Sequence, residues 1–135
     1  QNNKGVLKMY ADIEYYKNTY KGNLEDTEIE KALNQASRHI DTLTYNRIVA
    51  VGFDNLSEYQ QEIIKECACL LADWEVENAD YITNLLSSYS LNGASMSFSG
   101  NSATAQVVNG IAISREIYSH LQKCGLCTRS LRGWR

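Results

Sequence analysis

The residues of this chain whose type and spacing could support metal or redox chemistry are its four cysteines. Cys124 and Cys127 form a CxxC pair, a spacing found in zinc sites and in thioredoxin-like proteins. Cys67 and Cys69 lie two positions apart on a predicted helix, so their side chains point about 200° from each other and do not grip one ion. A redox CxxC needs its first thiolate near a helix N-terminus, whereas Cys124 lies near a predicted C-terminus, where the dipole disfavours the anion. We therefore predict structural thiols, with a small thiol–metal protein as an alternative.

The two histidines and the remaining polar residues show no pattern of a catalytic or metal site. His39 and His120 each lie beside the buried row of a predicted helix, without a second ligand at metal-binding spacing. The sequence contains no glycine-rich phosphate loop, no nucleophile elbow and no metal-binding helix motif. We therefore expect no catalytic residues, no metal ligands, no cofactor and no enzymatic activity.

Length and composition favour one helical domain. A chain of 135 residues has room for one sizeable core, and the absence of proline fits long uninterrupted helices. The formal net charge is -3 and most basic residues are scattered, which disfavours direct binding to a nucleic acid. A helical DNA-packaging or DNA-binding protein stays an alternative. No segment has the ~18 apolar residues of a membrane span, and the start lacks the apolar core of a signal peptide, so we expect no membrane partner.

Hydrophobic periodicity predicts four helices in a single domain over residues 1–135. They fall at about residues 12–20, 27–45, 57–81 and 111–124. The second helix has one apolar face, which is formed by Ile29, Ala32, Leu33, Ala36, Ile40 and Leu43. The fourth is followed by Gly125, a residue suited to end a helix. Its apolar row comprises Ile113, Ile117, Leu121 and Cys124.

The third helix is predicted to be the longest. Ser57 and Gln60 have the spacing of a capping box at its start. Its apolar row consists of Tyr59, Ile63, Cys67, Leu70 and Trp74, widened by Ile64, Ala68 and Leu71. The opposite face is acidic and is predicted to lie in solvent. This face carries Glu58, Glu62, Glu66, Asp73, Glu77 and Asp80.

The period changes to two over residues 88–98, where apolar residues alternate with serines around Asn92-Gly93. This dipeptide is preferred in the two-residue type I′ turn, so the pattern predicts a β-hairpin, followed by a loop from Ser99 to Asn109. A lone hairpin is marginally stable in water, so its apolar face must cover a helix or a neighbouring chain. We expect a subunit interface formed by Tyr89, Leu91, Asn92, Gly93, Met96 and Phe98.

Four blocks of the sequence together resemble the head-tail connector family of long-tailed bacteriophages, also called head-completion adaptors. The blocks are ALNQASRHIDTLTYNRI, FDNLSEYQQEIIKE, SYSLNGASMSF and IYSHLQKCGL. They occur in the family's order and spacing, and the resemblance covers roughly residues 9–127. Order and coverage, rather than any single block, carry the resemblance.

The resemblance implies a fold and a place of action. The fold is all-α, a small bundle of about four helices with a protruding β-hairpin and an extended C-terminal tail over residues 125–135. It implies homo-oligomeric rings, dodecameric in known cases, in the virion neck between capsid and tail, assembled in the host cytoplasm. The ring joins the portal protein to a head-closure (stopper) protein or another neck protein. It extends the channel through which DNA transits.

The basic and aromatic tail is the candidate partner-binding segment in this setting. Arg and Trp are enriched in interface hot spots, and a short segment can order as it binds an acidic surface. We expect portal binding by Arg129, Leu131, Arg132, Trp134 and Arg135. A frayed, solvated terminus is the alternative.

Two further features have two interpretations each. The acidic face of the third helix is either solvated or lines the channel of the ring, where it would repel passing DNA. Four tyrosines either plug the rim of the bundle or reach subunit interfaces. They are Tyr16, Tyr20, Tyr45 and Tyr59.

Overall fold

A computed structural model describes residues 9–92 and 105–128, and most of this backbone is helical. The helices are α1 Ile13–Tyr15, continued by a π-helix over Tyr16–Tyr20, then α2 Asp26–Leu43, α3 Arg47–Val51, α4 Glu58–Glu77, α5 Ala79–Asn92 and α6 Arg115–Gln122. A 3-10 turn covers Phe53–Asn55. Strands β1 Ala105–Val108 and β2 Ile111–Ser114 pair in an antiparallel sheet. The expectation of a mostly helical protein with a β-hairpin is confirmed.

Helix α2 turns its predicted apolar face into the main core. All six residues of that face are buried, because helical spacing places them on one side of α2. The face meets α4, the central helix, which also contacts α6 and β2. The predicted helix over 27–45 ends earlier, at Leu43, because Tyr45 and Asn46 have left-handed backbone angles. The chain then forms α3, which the sequence did not predict.

The apolar row predicted for α4 lies at the edge of its buried side. Ile63 and Cys67 are buried, whereas Trp74 is half-buried between two hydrophobic clusters. Tyr59 is 60% exposed, so the predicted apolar row is not buried at its first position. Since α2 and α6 both pack on α4, its buried side is broader than one row and is centred near Ile64.

Helix α4 begins as predicted and ends earlier than predicted. Ser57 Oγ accepts from the Gln60 N–H at 3.1 Å, and Gln60 Oε1 accepts from the Ser57 N–H at 3.0 Å, which confirms the capping box. At the other end, Asn78 Nδ2 donates to the Trp74 carbonyl at 2.9 Å, a side-chain contact that competes with helix continuation. The predicted single helix over 57–81 is therefore wrong, since α5 begins separately at Ala79.

Helix α5 includes the residues in which the first strand of the hairpin is predicted. The prediction of a hairpin over 88–98 is therefore wrong as far as Asn92. Tyr89, Leu91 and Asn92 all lie on α5. A helix satisfies its own backbone hydrogen bonds, and the apolar residues of α5 recur at helical spacing, which outweighs a four-residue alternation. That apolar face comprises Tyr81, Ile82, Leu85, Leu86 and Tyr89. The other predicted interface residues, Gly93, Met96 and Phe98, lie outside the described residues.

The β-hairpin of this structure turns instead at Asn109-Gly110. Both residues have a positive φ, 53° and 83°, as a type I′ turn requires, and Val108 pairs with Ile111 across the turn. The predicted loop over 99–109 is therefore wrong for residues 105–108, which form β1. Residues 99–104 lie outside the described part of the chain.

Helix α6 starts four residues later than predicted, because residues 111–114 form β2. Ser114 ends the strand and caps the helix, with its Oγ accepting from the Glu116 N–H at 3.2 Å. The predicted apolar row of this segment is nevertheless buried throughout. One of its members, Ile113, enters the core from the strand rather than from the helix.

Strand β2 connects two hydrophobic clusters. Ile113 belongs to the main core, whereas Ala112 packs in a smaller cluster with Leu85 of α5 and Ala105 of β1. Neighbouring residues of a strand point to opposite faces, so one short strand contacts both clusters. We call α5, β1 and β2 together the arm.

Replacing Gly110 with Val should lower the free energy of unfolding by about 1–2 kcal/mol, because a β-branched residue disfavours a positive φ. A Cβ at this position meets no atom within 4 Å, so the cost is conformational rather than steric. Gly110→Asn is the matched control and should cost less, since Asn tolerates left-handed backbone. Urea denaturation measures both variants, and equal losses would contradict the type I′ turn.

Candidate functional site

Asp73 of α4 accepts hydrogen bonds from two phenols of the N-terminal segment. Tyr16 Oη donates to Asp73 Oδ1 at 2.5 Å, and Tyr20 Oη donates to Oδ2 at 2.9 Å. The fully buried Tyr16 also accepts from the Leu24 N–H at 2.9 Å. The prediction that Asp73 lies in solvent is therefore wrong, because these phenols supply the donors that a half-buried carboxylate needs. Tyr16 is fully buried in the main core, and the half-buried Tyr20 packs against that core.

A second phenol–carboxylate contact fixes the N-terminal segment to α2. Tyr10 Oη donates to Asp41 Oδ1, and the Tyr10 N–H donates to Ser37 Oγ at 2.9 Å. Ser37 and Asp41 are buried polar residues that sequence analysis missed. Their four-residue spacing, which places both on one side of α2, is the signal that could have identified them.

All four thiols are buried and free. Burial raises the pKa of Cys69 to about 12 and raises that of Cys67 further. The hydrogen bond between Cys124 and Cys127 lowers the pKa of Cys124 and raises that of Cys127. This hydrogen bond is a contact that the argument from the helix terminus does not include, and Cys124 is only 4% exposed. Among the described residues, no group of three His, Cys, Asp or Glu could hold a metal ion.

Both histidines contact carboxylates on α4. His39 Nδ1 lies 2.5 Å from Glu75 Oε2 and links α2 to α4. His120 Nε2 lies 2.9 Å from Glu66 Oε1 and links α6 to α4. The carboxylates are 36 and 54 residues from their histidines, so no local sequence signal indicates either pair.

Arg47 holds the C-terminal end of the described chain. Its guanidinium, in a residue only 9% exposed, donates from Nη1 to the Leu126 carbonyl at 3.3 Å and to the Thr128 carbonyl. The tail predicted from residue 125 therefore belongs to the fold as far as Thr128, since Leu126 and Cys127 are also buried. The predicted portal-binding residues lie outside the described residues: Arg129, Leu131, Arg132, Trp134 and Arg135.

The arm carries apolar side chains that the rest of the fold covers incompletely. Leu85 is buried, whereas Tyr81, Ile82, Leu86 and Tyr89 on the same face are half-buried. The Tyr81 Oη is buried without a hydrogen-bond partner among the described atoms. A partly covered apolar face is typical of a surface that another protein can cover.

A groove of about 640 Å³ lies between α4 and α6. Part of its lining is apolar, formed by Leu70, Trp74 and Ile117. Basic groups in the lining belong to His120 and Lys123. The acidic residues that line it are Glu66, Asp73, Glu77 and Glu116. Two of these carboxylates are already engaged within the fold, Asp73 by two phenols and Glu66 by His120.

Comparisons with protein-family models, with curated proteins and with solved structures give no match to this chain. No helix within residues 9–92 and 105–128 has the length and apolar character of a membrane span. Function is therefore inferred from the sequence pattern and the contacts described above.

Stability should decrease as the pH rises above about 10. Burial, reinforced by Asp73, raises the pKa of Tyr16 from 10.0 to about 12. Burial also raises the pKa of Tyr10 and of Tyr20. A folded-state pKa above the unfolded value gives stabilisation that is complete below the unfolded pKa and is lost as the pH rises through the folded pKa. Urea denaturation at a series of pH values should show this loss, and a flat profile between about pH 10 and 12 would contradict it.

Tyr16→Phe should reduce the loss of stability above about pH 10. It should also lower the free energy of unfolding at neutral pH by about 1–3 kcal/mol, because Asp73 and the Leu24 N–H both lose a partner. Tyr59→Phe is the matched control, since this ring is 60% exposed, and it should change neither quantity.

Proposed function

We propose that this protein is an adaptor subunit in the neck of a tailed bacteriophage. Copies form a ring between the portal protein and a head-closure or other neck protein, and the ring extends the channel through which DNA passes. The subunit acts by contact, without catalysis and without a cofactor. The four sequence blocks that resemble head-tail connectors suggest this class, and a mostly helical chain with a β-hairpin is compatible with it.

The partly covered apolar face of the arm is the observation that supports the proposal most directly. Helix α5 leaves the end of α4 at Asn78 and turns an apolar face toward a hairpin that covers it only in part. Of the α5 residues on that face whose burial is described, only Leu85 is fully buried. A subunit that works by contact with other subunits needs such a surface.

A ring of identical copies also needs a second, different surface, because its interfaces are heterologous. Tyr59, 60% exposed, lies at the opposite end of α4 from the arm. The 20 residues of α4 separate the two places by about 30 Å. Val49 of α3 is a further exposed apolar residue outside the arm. We propose that the arm of one copy meets the surface near Tyr59 on the next.

Tyr89→Glu should weaken ring assembly on the portal at least tenfold, about 1.4 kcal/mol, because it places a charge on the half-buried face of α5. Ser87→Glu is the matched control, since Ser87 is exposed on the other side of α5, and it should assemble normally. Native mass spectrometry at increasing subunit concentration, with and without the portal, counts the bound copies.

The wild-type chain alone should stay monomeric or weakly associated in this experiment. Equal assembly of the two variants would remove the arm from the interface. A stable wild-type ring that does not bind the portal would overturn the adaptor proposal itself.

Deleting residues 129–135 should leave the melting temperature almost unchanged while portal binding weakens at least tenfold, about 1.4 kcal/mol. The deletion begins after Thr128 so that the carbonyl bonded by Arg47 is kept. A second variant keeps all residues and carries Arg129→Gln, Arg132→Gln and Arg135→Gln, so that it separates the loss of charge from the loss of length. Unaltered binding of both variants to the same portal at moderate salt would mean that the segment is a solvated terminus.

A further inference from the structure

We infer that Cys124 and Cys127 form a site of reversible oxidation, at which a hydroperoxide converts the two thiols to a disulfide. Cys124 is the nucleophile and Cys127 is the resolving thiol. The inference goes beyond the adaptor proposal and does not depend on it. All four thiols of the chain lie within the described residues, so their surroundings can be compared directly.

The backbone between the two thiols is held from both sides. Gln60 Nε2 of α4 donates to the Cys124 carbonyl at 2.9 Å, and Arg47 Nη1 donates to the Leu126 carbonyl at 3.3 Å. Between these contacts Gly125 has a φ of 82°, a left-handed conformation that turns the chain. In this arrangement the Cys124 and Cys127 side chains are hydrogen-bonded to each other. The two sulfurs that a disulfide would join are therefore already neighbours.

Several donors meet at the Cys124 sulfur. The Cys127 thiol donates to it, and so do the N–H groups of Leu126 and of Cys124 itself. Hydrogen bonds to the charged form stabilise a thiolate. Led by the bond from Cys127, they lower the pKa of Cys124, although burial and the nearby end of α6 oppose this. Because the thiolate is the nucleophilic form, Cys124 is the thiol that reacts first.

The two thiols of α4 are less suited to this chemistry. Burial raises the pKa of both Cys67 and Cys69, which keeps them protonated. Cys67 lies near Cys124, but its thiol is directed to the Ile117 carbonyl at 3.9 Å. Cys69 lies near the Asp73 carboxylate, whose charge opposes a thiolate. Cys127 is therefore the partner that the Cys124 sulfur meets.

The pair lies just beneath the surface, which selects a small oxidant. Cys124 is 4% exposed and Cys127 is 8% exposed, whereas Cys67 and Cys69 are at most 1% exposed. Gly125, between the two thiols, is exposed, and a Cβ built on it meets no atom within 4 Å. Hydrogen peroxide is barely larger than water and fits such an opening. A tripeptide disulfide such as oxidised glutathione does not.

The reaction consists of two displacements at sulfur and oxygen. The Cys124 thiolate attacks one oxygen of hydrogen peroxide, the O–O bond breaks, and hydroxide leaves and takes up the proton that Cys124 had lost. The Cys127 thiol then loses its proton, and its sulfur attacks the sulfenic acid of Cys124. The S–O bond breaks, and the departing hydroxide takes that proton. Two thiols are oxidised to one disulfide, and one peroxide is reduced to two waters.

Hydrogen peroxide should oxidise this pair selectively in the full-length protein. Unfolding and alkylation should label all four cysteines before treatment, and only Cys67 and Cys69 afterwards. Trypsin cleaves after Lys123 and Arg129, so one peptide, CGLCTR, carries both thiols. Its mass should fall by that of two hydrogen atoms, and dithiothreitol should reverse the change. Oxidised glutathione at the same concentration should leave the pair reduced over the same period.

Two variants separate the nucleophile from its activation. Cys127→Ser keeps a donor beside Cys124 but removes the resolving thiol, so a sulfenic acid should accumulate on Cys124 and be trapped by dimedone. Cys127→Ala removes the donor as well and should form the adduct about tenfold more slowly, because less of Cys124 is thiolate. Cys69→Ser is the matched control, and it should form the disulfide at the rate of the unsubstituted protein. In urea, the dimedone adduct of Cys127→Ser should form on all three remaining cysteines alike.

Alkylation of all four cysteines after peroxide treatment would overturn the inference. So would a disulfide between Cys67 and Cys124, equal trapping on Cys67 and Cys124 in folded Cys127→Ser, or equal rates for the Ser and Ala variants. Oxidation by glutathione disulfide as fast as by peroxide would overturn the assignment to a hydroperoxide. If the Cys127 variants unfold, the peptide masses of the unsubstituted protein decide. None of these measurements involves a portal, so their failure is distinguishable from failure of the adaptor proposal.

Discussion

The four residues of strand β2 contribute side chains to two different hydrophobic clusters. Ile113 is fully buried in the main core, whereas Ala112 beside it packs in the arm, because successive strand residues point to opposite sides. Ser114 then caps α6 without an intervening loop. A shift of one residue in register would exchange the two faces and displace α6 as well as the arm. The turn at Asn109-Gly110, by setting this register, therefore determines how the two parts of the molecule are joined.

Buried and half-buried carboxylates fasten the N-terminal segment across the bundle. Asp41 on α2 and Asp73 on α4 accept from phenols of that segment, so it is tied to both of the long packed helices. A carboxylate removed from water requires donors, and a neutral phenol supplies one while adding a large apolar ring to the core. Polar contacts of this kind place the segment where apolar packing alone would allow several positions.

Signals that are local in the sequence were predictable, and contacts between distant residues were not. The face of α2 and the Ser57–Gln60 capping box each depend on residues within a few turns, and both were predicted. The Asn-Gly dipeptide occurs twice, at Asn92-Gly93 and at Asn109-Gly110, and the alternation of apolar residues and serines predicts a turn at the first. The helical period of α5 decides against it. The carbonyl partners of Arg47 and the carboxylate partners of the histidines lie too far along the chain to be read from spacing.

The contact between Arg47 and the Thr128 carbonyl spans 81 residues, and this has a consequence during synthesis. At about 5–20 residues per second, a ribosome adds the second partner roughly 4–16 s after the first. Through that interval the guanidinium lacks two of its final acceptors, while α2 and α4 are already long enough to pack. A nascent chain that stops before Leu126 leaves a cation at a site that is nearly closed to water in the finished fold. Residues translated long after Arg47 thus complete the hydrogen bonding of its guanidinium, so the stability of the domain depends on synthesis having reached Thr128.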